Sequence, residues 1–180
     1  DIGSSMYFSS IDKLKIEFSI ELIITLSFLA MNSGSKVGLI MFSDKVVKLI
    51  KFGAGAKQES IISSVLLDPK NYPGGNSNID MAFKVARTFI TANSIVFIIS
   101  DFLKFNKNWK EAISVMSYRY DAVGIMIRDK IDKEIPKSGF LRIVDPTTNE
   151  ELIINTDTAA DKYNKLMLQN EKDINHFFLV

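Results

Sequence analysis

Three segments of this chain are rich in oxygen donors: Asp1-Ile2-Gly3-Ser4-Ser5, Gly74-Gly75-Asn76-Ser77-Asn78 and Ser100-Asp101. Carboxylates and hydroxyls are hard ligands. A cation such as Mg²⁺ takes oxygens in octahedral array at about 2.0–2.1 Å and keeps several waters. Two carboxylates and two hydroxyls drawn from three loops suit that demand, and they leave one coordination position open. A carboxylate from a partner protein can fill it, which makes the metal part of an interface. Softer chemistry is excluded. There is no Cys, so disulfides, thiolate metal sites and cysteine nucleophiles are ruled out. The single histidine, His176, excludes any site built on several imidazoles.

Composition narrows the class further. Of 180 residues, 47% are hydrophobic and 24% charged, the balance of a globular domain with a substantial core. Lys and Arg number 22 against 21 Asp and Glu, a net charge of +1 that gives no electrostatic reason to expect nucleic acid. The most apolar stretch, Ile16 to Met31, carries Glu17 and Glu21 and falls short of the roughly 20 apolar residues of a membrane span. The lack of Cys is compatible with a cytoplasmic setting. A membrane anchor would have to come from segments outside the chain.

The three segments need elements to hold them. Asp12 to Met31 has helical periodicity, with Leu14, Phe18, Leu22, Thr25 and Leu29 in one row and Ile16, Ile20, Ile23 and Ile24 widening the apolar side. This helix is expected to be buried on most of its circumference. Lys36 to Phe42 and Val46 to Phe52 read as strands around a Ser43-Asp44 turn. Gln58 to Leu67 and Ile79 to Thr91 read as helices, with a Pro- and Gly-rich loop between them. Ser94 to Ser100 is apolar and β-branched, as a central parallel strand covered on both faces would be. Trp109 to Met116 (helix), Ala122 to Ile127 (strand), the strands Gly139–Val144 and Leu152–Asn155 flanking Asp145 to Asn149, and Asp157 to Asp173 (helix) follow. His176 to Val180 has strand-like residues. The alternation predicts a single α/β domain over 1–180, a mainly parallel, doubly wound sheet with helices on both faces and a small C-terminal hairpin. In such sheets ligands bind beyond the carboxyl ends of the strands, where the three segments would meet.

These segments bring the chain close to a known family. DIGSSM resembles the D-x-S-x-S motif of von Willebrand factor A domains, GGNSNID resembles the loop that supplies their Thr, and IISDFL resembles the strand end that supplies their second Asp. The likeness is greater to one branch, the domain-of-unknown-function 58 family encoded beside MoxR-type AAA+ ATPases. NSGSKVGLIMFSDKV, VFIISDFL and IPKSGFLRIVDPTTNEELIINTDT have counterparts there, so the resemblance runs from Asp1 to about Tyr163. It implies a metal-ion-dependent adhesion site with Asp1, Ser5, Ser77 and Asp101 around Mg²⁺ or Mn²⁺. It also implies a non-enzymatic protein-interaction module whose partner is a MoxR-type ATPase or its client. Gly3 departs from the motif, falling where its first Ser stands, so the implied site is degenerate. In this fold the first Asp ends a central strand, and the resemblance implies an apolar strand upstream of residue 1. Without that strand, Asp1 is expected to be a mobile terminus whose free ammonium opposes cation binding.

Each residue also has a plainer reading. Ser4 and Ser5 serve as turn or cap residues, Gly74-Gly75 as an ordinary turn, Ser77 or Asn78 as a helix N-cap, and Asp101 as a structural turn. His176 and Trp109 read as packing residues, Lys104, Lys107 and Lys110 as a solvated basic face, and Lys130, Asp132, Lys133 and Glu134 as an exposed loop. Two other functions stay open. One is a metal-free scaffold with a vestigial site, which Gly3 favours. The other is a Mg²⁺-dependent phosphatase of haloacid dehalogenase type, which needs a second carboxylate two residues after the first, where Gly3 stands.

Overall fold

The computed structural model describes residues 1–91, 93–103, 105, 108–144 and 150–178. The proposed Asp145 to Asn149 turn, Lys104 and Lys107 of the basic cluster, and Val180 lie outside the described residues. A 3₁₀ turn at Ser4–Tyr7 leads into helix α1 (Lys15–Asn32). Strands β1 (Val37–Phe42) and β2 (Val46–Gly53) come next, then α2 (Gly55–Leu67) and α3 (Ile79–Ala86). Strand β3 (Ile95–Ser100), α4 (Trp109–Arg119), β4 (Asp121–Met126), α5 (Lys130–Lys133), β5 (Phe140–Val144), β6 (Glu151–Asn155) and α6 (Thr156–Phe178) complete the order.

The chain is α/β, but its ladders do not form the expected mainly parallel sheet. Among the described residues there are three two-stranded ladders: β1 with β2 antiparallel, β3 with β4 parallel, and β5 with β6 antiparallel. Connection length explains the pairings. The three residues between β1 and β2 allow only a hairpin, whereas α4 provides the crossover that a parallel β3–β4 pair requires. The edges of β1 and β3 are joined by residues 1 and 2: the Ile2 amide donates to Phe42 O at 2.8 Å and the Asp1 α-amino group donates to Ile99 O at 3.0 Å.

Helices lie on both sides of β1. Alternate residues on a strand face opposite ways. Leu39 and Met41 pack with Ile2, Met6, Ile16, Ile62 and Leu66, the cluster under α1 and α2. Ile40 and Phe42 pack with Ile79, Phe83, Ile98, Ile113, Met116 and Ile174, the cluster under α3, α4 and α6. No helix among the described residues is long and apolar enough to cross a membrane.

Four expectations are corrected. Helix α1 is not buried on most of its circumference: Phe18, Phe28 and Leu29 are exposed, and its buried positions are Lys15, Ile16, Ser19 and Ser27. The face turned inward begins with a charge, Lys15, that meets buried carboxylates at the rim, and continues with Ser19, whose hydroxyl donates to Lys15 O. Strand β3 is not covered on both faces, since Ile95 is 60% and Phe97 47% exposed. Residues His176 to Phe178 continue α6 instead of forming a strand. Helical packing decides this, because Phe177 and Phe178 reach Trp109 and Phe102. Finally, Lys130 to Lys133 is a helical turn capped by Asp129, with Asp132 buried.

Candidate functional site

The carboxyl ends of β1 and β3 carry the three segments, and the carboxylate of Asp1 is where they meet. Its Oδ1 accepts from the Gly3 amide at 2.9 Å and the Ser77 hydroxyl at 2.7 Å, and its Oδ2 accepts from the Ser100 hydroxyl at 2.6 Å. The first two segments clamp each other through Ser4 N to Gly75 O and Gly75 N to Ser4 Oγ, both 2.8 Å. The turn after β1 fixes the second segment: Asp44 Oδ1 accepts from Asn76 N at 2.9 Å, and Asn78 N donates to Ser43 O at 2.8 Å. Ser77 also forms a β-bridge with Phe105, so the loop after β3 lies alongside. Asn78, not Ser77, caps α3, its side chain accepting from Met81 N at 3.2 Å.

Asp1 is held rather than mobile. Its α-amino group bonds Ile99 O, and burial lowers that group to about 5 against the opposing pull of the Asp101 charge. Ser5 is buried in the 3₁₀ turn, and its hydroxyl has no hydrogen-bond partner among the described residues. Asp101 is 1% exposed and its side chain turns away from this group. Its Oδ1 accepts from Leu103 N at 3.1 Å, and its Oδ2 accepts from the Lys15 ammonium at 2.8 Å. The same ammonium bonds Asp132 Oδ2 at 2.6 Å. Next to Asp101, Phe102 has φ 55°, a left-handed conformation that costs a side-chain-bearing residue on the order of 1 kcal/mol. Burial of its ring in the α3/α4/α6 cluster holds it there.

The chain matches the family described as protein of unknown function DUF58 over residues 1–173. It belongs to that family. Solved structures that share the fold include the following two. One is an aerotolerance-related membrane protein from Bacteroides fragilis (TM-score 0.63, 16% identity, covering 98% of this chain and 96% of that one). The other is the conserved hypothetical protein BatB from Bacteroides thetaiotaomicron (TM-score 0.59, 14% identity, 100% and 96% covered). No curated protein matches the chain.

In this DUF58 chain, Asp1, Ser5 and Ser77 thus lie on clamped neighbouring segments, with Ser100 added to them, and Asp101 adjoins through Ser100. Among the described residues, the Ser5 hydroxyl without a partner is a feature that fits a missing ligand. On two counts the residues do not fit an octahedral oxygen shell. A Cβ at position 3 would run into Ser77 Oγ and come within 3.2 Å of Asp1 Oδ1, so the motif's first Ser has no room in this arrangement. Asp101, the second carboxylate the site needs, is already bonded to a buried ammonium.

Sequence reasoning missed Lys15, Asp44 and Asp132, and named Ser100 only as part of its segment and not as a partner of Asp1. Lys15 had a signal. It is the one charge on the row Lys15, Ser19, Ile23, Ser27, whose remaining members are small or apolar, and such a row faces inward. Asp132 had none, because its neighbours Lys130, Lys133 and Glu134 are those of a solvated loop.

Proposed function

We propose that this DUF58 chain is a non-enzymatic protein-interaction module of the von Willebrand A type. Its contact surface is the rim around Asp1, and it acts with a MoxR-type AAA+ ATPase or that ATPase's client in complex assembly or maturation. The observation that carries this reading is the convergence of three sequence-distant loops on the Asp1 carboxylate, at the strand ends where α/β sheets present ligand sites. The convergence makes a rigid rim, with the exposed side chains of Asp44 and Asn76 standing on clamped backbone. Preorganised surfaces of this kind lose little entropy when a partner binds. The aerotolerance-related membrane protein among its structural neighbours supports action at a membrane, through segments outside this chain.

The test is binding to a purified MoxR-type ATPase from the same organism, measured by biolayer interferometry. Asn76→Arg, which puts a bulky charge on the rim, should weaken binding by about tenfold or more, equivalent to about 1.4 kcal/mol. Lys57→Glu, on the exposed side of α2, should leave it unchanged. Equal affinities for the wild type and Asn76→Arg reject the rim as the contact surface.

A further inference from the structure

We propose that Lys15 is the resident cation of this rim: its ammonium occupies the electrostatic role of a divalent ion between Asp101 and Asp132, and replacing it with a small neutral residue converts the carboxylate pair into a divalent-cation site. Burial comes first. The side chains of Lys15, Asp101 and Asp132 are 4%, 1% and 9% exposed, so the three charges interact with little solvent screening. The ammonium bridges one oxygen of each carboxylate, at 2.8 and 2.6 Å. The two carboxylates are also positioned by main chain, Asp101 Oδ1 by Leu103 N and Asp132 Oδ2 by Asp129 N at 3.0 Å. They are therefore set in place independently of the lysine.

Charge balance decides what the pair can accept. The guanidinium of Arg128 donates from Nε to Asp101 O at 2.9 Å and faces both Asp101 and Asp132. The guanidinium also faces half-buried Glu171, so two cations meet three carboxylates and the group carries one net negative charge as it stands. A divalent ion added to it would leave an uncompensated positive charge in a buried setting and would have to share carboxylate oxygens that the ammonium already holds, which is unfavourable. Removing the lysine changes the balance. Two net negative charges are left, two carboxylates stay fixed about a void the length of a lysine side chain, and a hard divalent cation is the species that restores neutrality with oxygen ligands. Helix α1 therefore supplies from Lys15 a cation for Asp101, one of the carboxylates that the family resemblance assigns to a metal.

The experiment is calorimetric titration of the chain with MgCl₂ and with MnCl₂, alongside thermal melts in chelator and in each salt. The wild type should give no site-specific heat and no change in Tm. Lys15→Ala should melt lower in chelator and regain Tm in Mn²⁺ or Mg²⁺, and Lys15→Ala/Asp101→Asn should lose that gain. Wild-type binding that Asp101→Asn abolishes overturns the proposal, and so does a folded Lys15→Ala that responds to neither ion. If Lys15→Ala does not fold in chelator, recovery of its native circular dichroism on refolding with Mn²⁺ supports the proposal, and failure to recover counts against it.

Discussion

Gly3 and Ser77 are coupled through one bond. The Ser77 hydroxyl reaches Asp1 only because position 3 lacks a side chain. Gly3→Ala should displace Ser77 Oγ and cost about 1–3 kcal/mol, the range for overpacking a tight site. Ser77→Ala should cost about 1–2 kcal/mol, because it removes one donor from a carboxylate. The double variant should cost clearly less than the two combined, since Ser77→Ala removes the atom that Gly3→Ala collides with. Urea unfolding of the four proteins reads the coupling, and simple additivity would refute it. At this scale the sequence shows donor types but not their directions. The oxygen-rich segments DIGSS, GGNSN and ISD point to the loops, and the family resemblance singles out Asp1 and Ser77 within them. That Asp101 points to Lys15 was not legible, because the lysine is 86 positions away and each residue alone has an unremarkable neighbourhood.

Among elements, strands were read well where β-branched runs stand between turns. The expected segments Lys36–Phe42 and Ser94–Ser100 correspond to β1 and β3 within a residue or so. The hairpin β5–β6 also lies where expected, its strands paired from Phe140–Asn155 to Val144–Glu151. What failed was orientation and cover. Periodicity in α1 gave the helix but favoured the Phe18/Leu29 row over the Lys15/Ser19/Ser27 row, because hydrophobicity counts for more than an unseen charge partner. Helix α3 shows how an element serves the rim. Its N-cap, Asn78, follows Ser77 directly, and the Asn78 amide is tied to Ser43 O, so the cap that starts the helix also fixes the loop. Asn78→Ala should cost about 1 kcal/mol, the usual worth of such a cap. Asn78→Asp should retain most of the stability, because a carboxylate accepts the same bond and favours the helix N-terminus. Thermal melts of both variants check this, and equal losses would show that the cap is not what Asn78 contributes.

At the level of the whole molecule, two apolar clusters lie on opposite sides of β1, and a polar seam at the rim ties them together. Helix α1 belongs to one cluster, and the ends of β3 and β4 belong to the other. The seam runs from Lys15 to Asp101 and Asp132, and from Ser9 and Ser10 to Asp129. This long-range organisation was only partly visible in the sequence, because Ser9, Ser10 and Asp129 are small polar residues with no periodic signature and lie about 120 positions apart. Asp129 makes the seam sensitive to acid. Burial by itself raises its carboxyl, but bonds from the Ser10 hydroxyl at 2.6 Å, the Ser10 and Ile131 amides, and the Ser9 hydroxyl outweigh this and hold it below the usual carboxylate range. A folded-state value below the unfolded one means that the unfolded chain takes up the proton first as pH falls. The stabilisation is therefore complete above about pH 4, the unfolded value, and is lost as pH drops through the folded value. Asp129→Asn removes the charge and faces the Ser10 amide with an amide of its own. It should lower the unfolding free energy at neutral pH by about 1.5–3 kcal/mol, the range for hydrogen bonds to a charged group. Urea unfolding of wild type and variant across the acid range should show the gap narrowing below about pH 4, where protonation takes the same charge from the wild type. A gap of constant size from neutral pH down through the acid range would mean that the ionised carboxylate does not hold this seam.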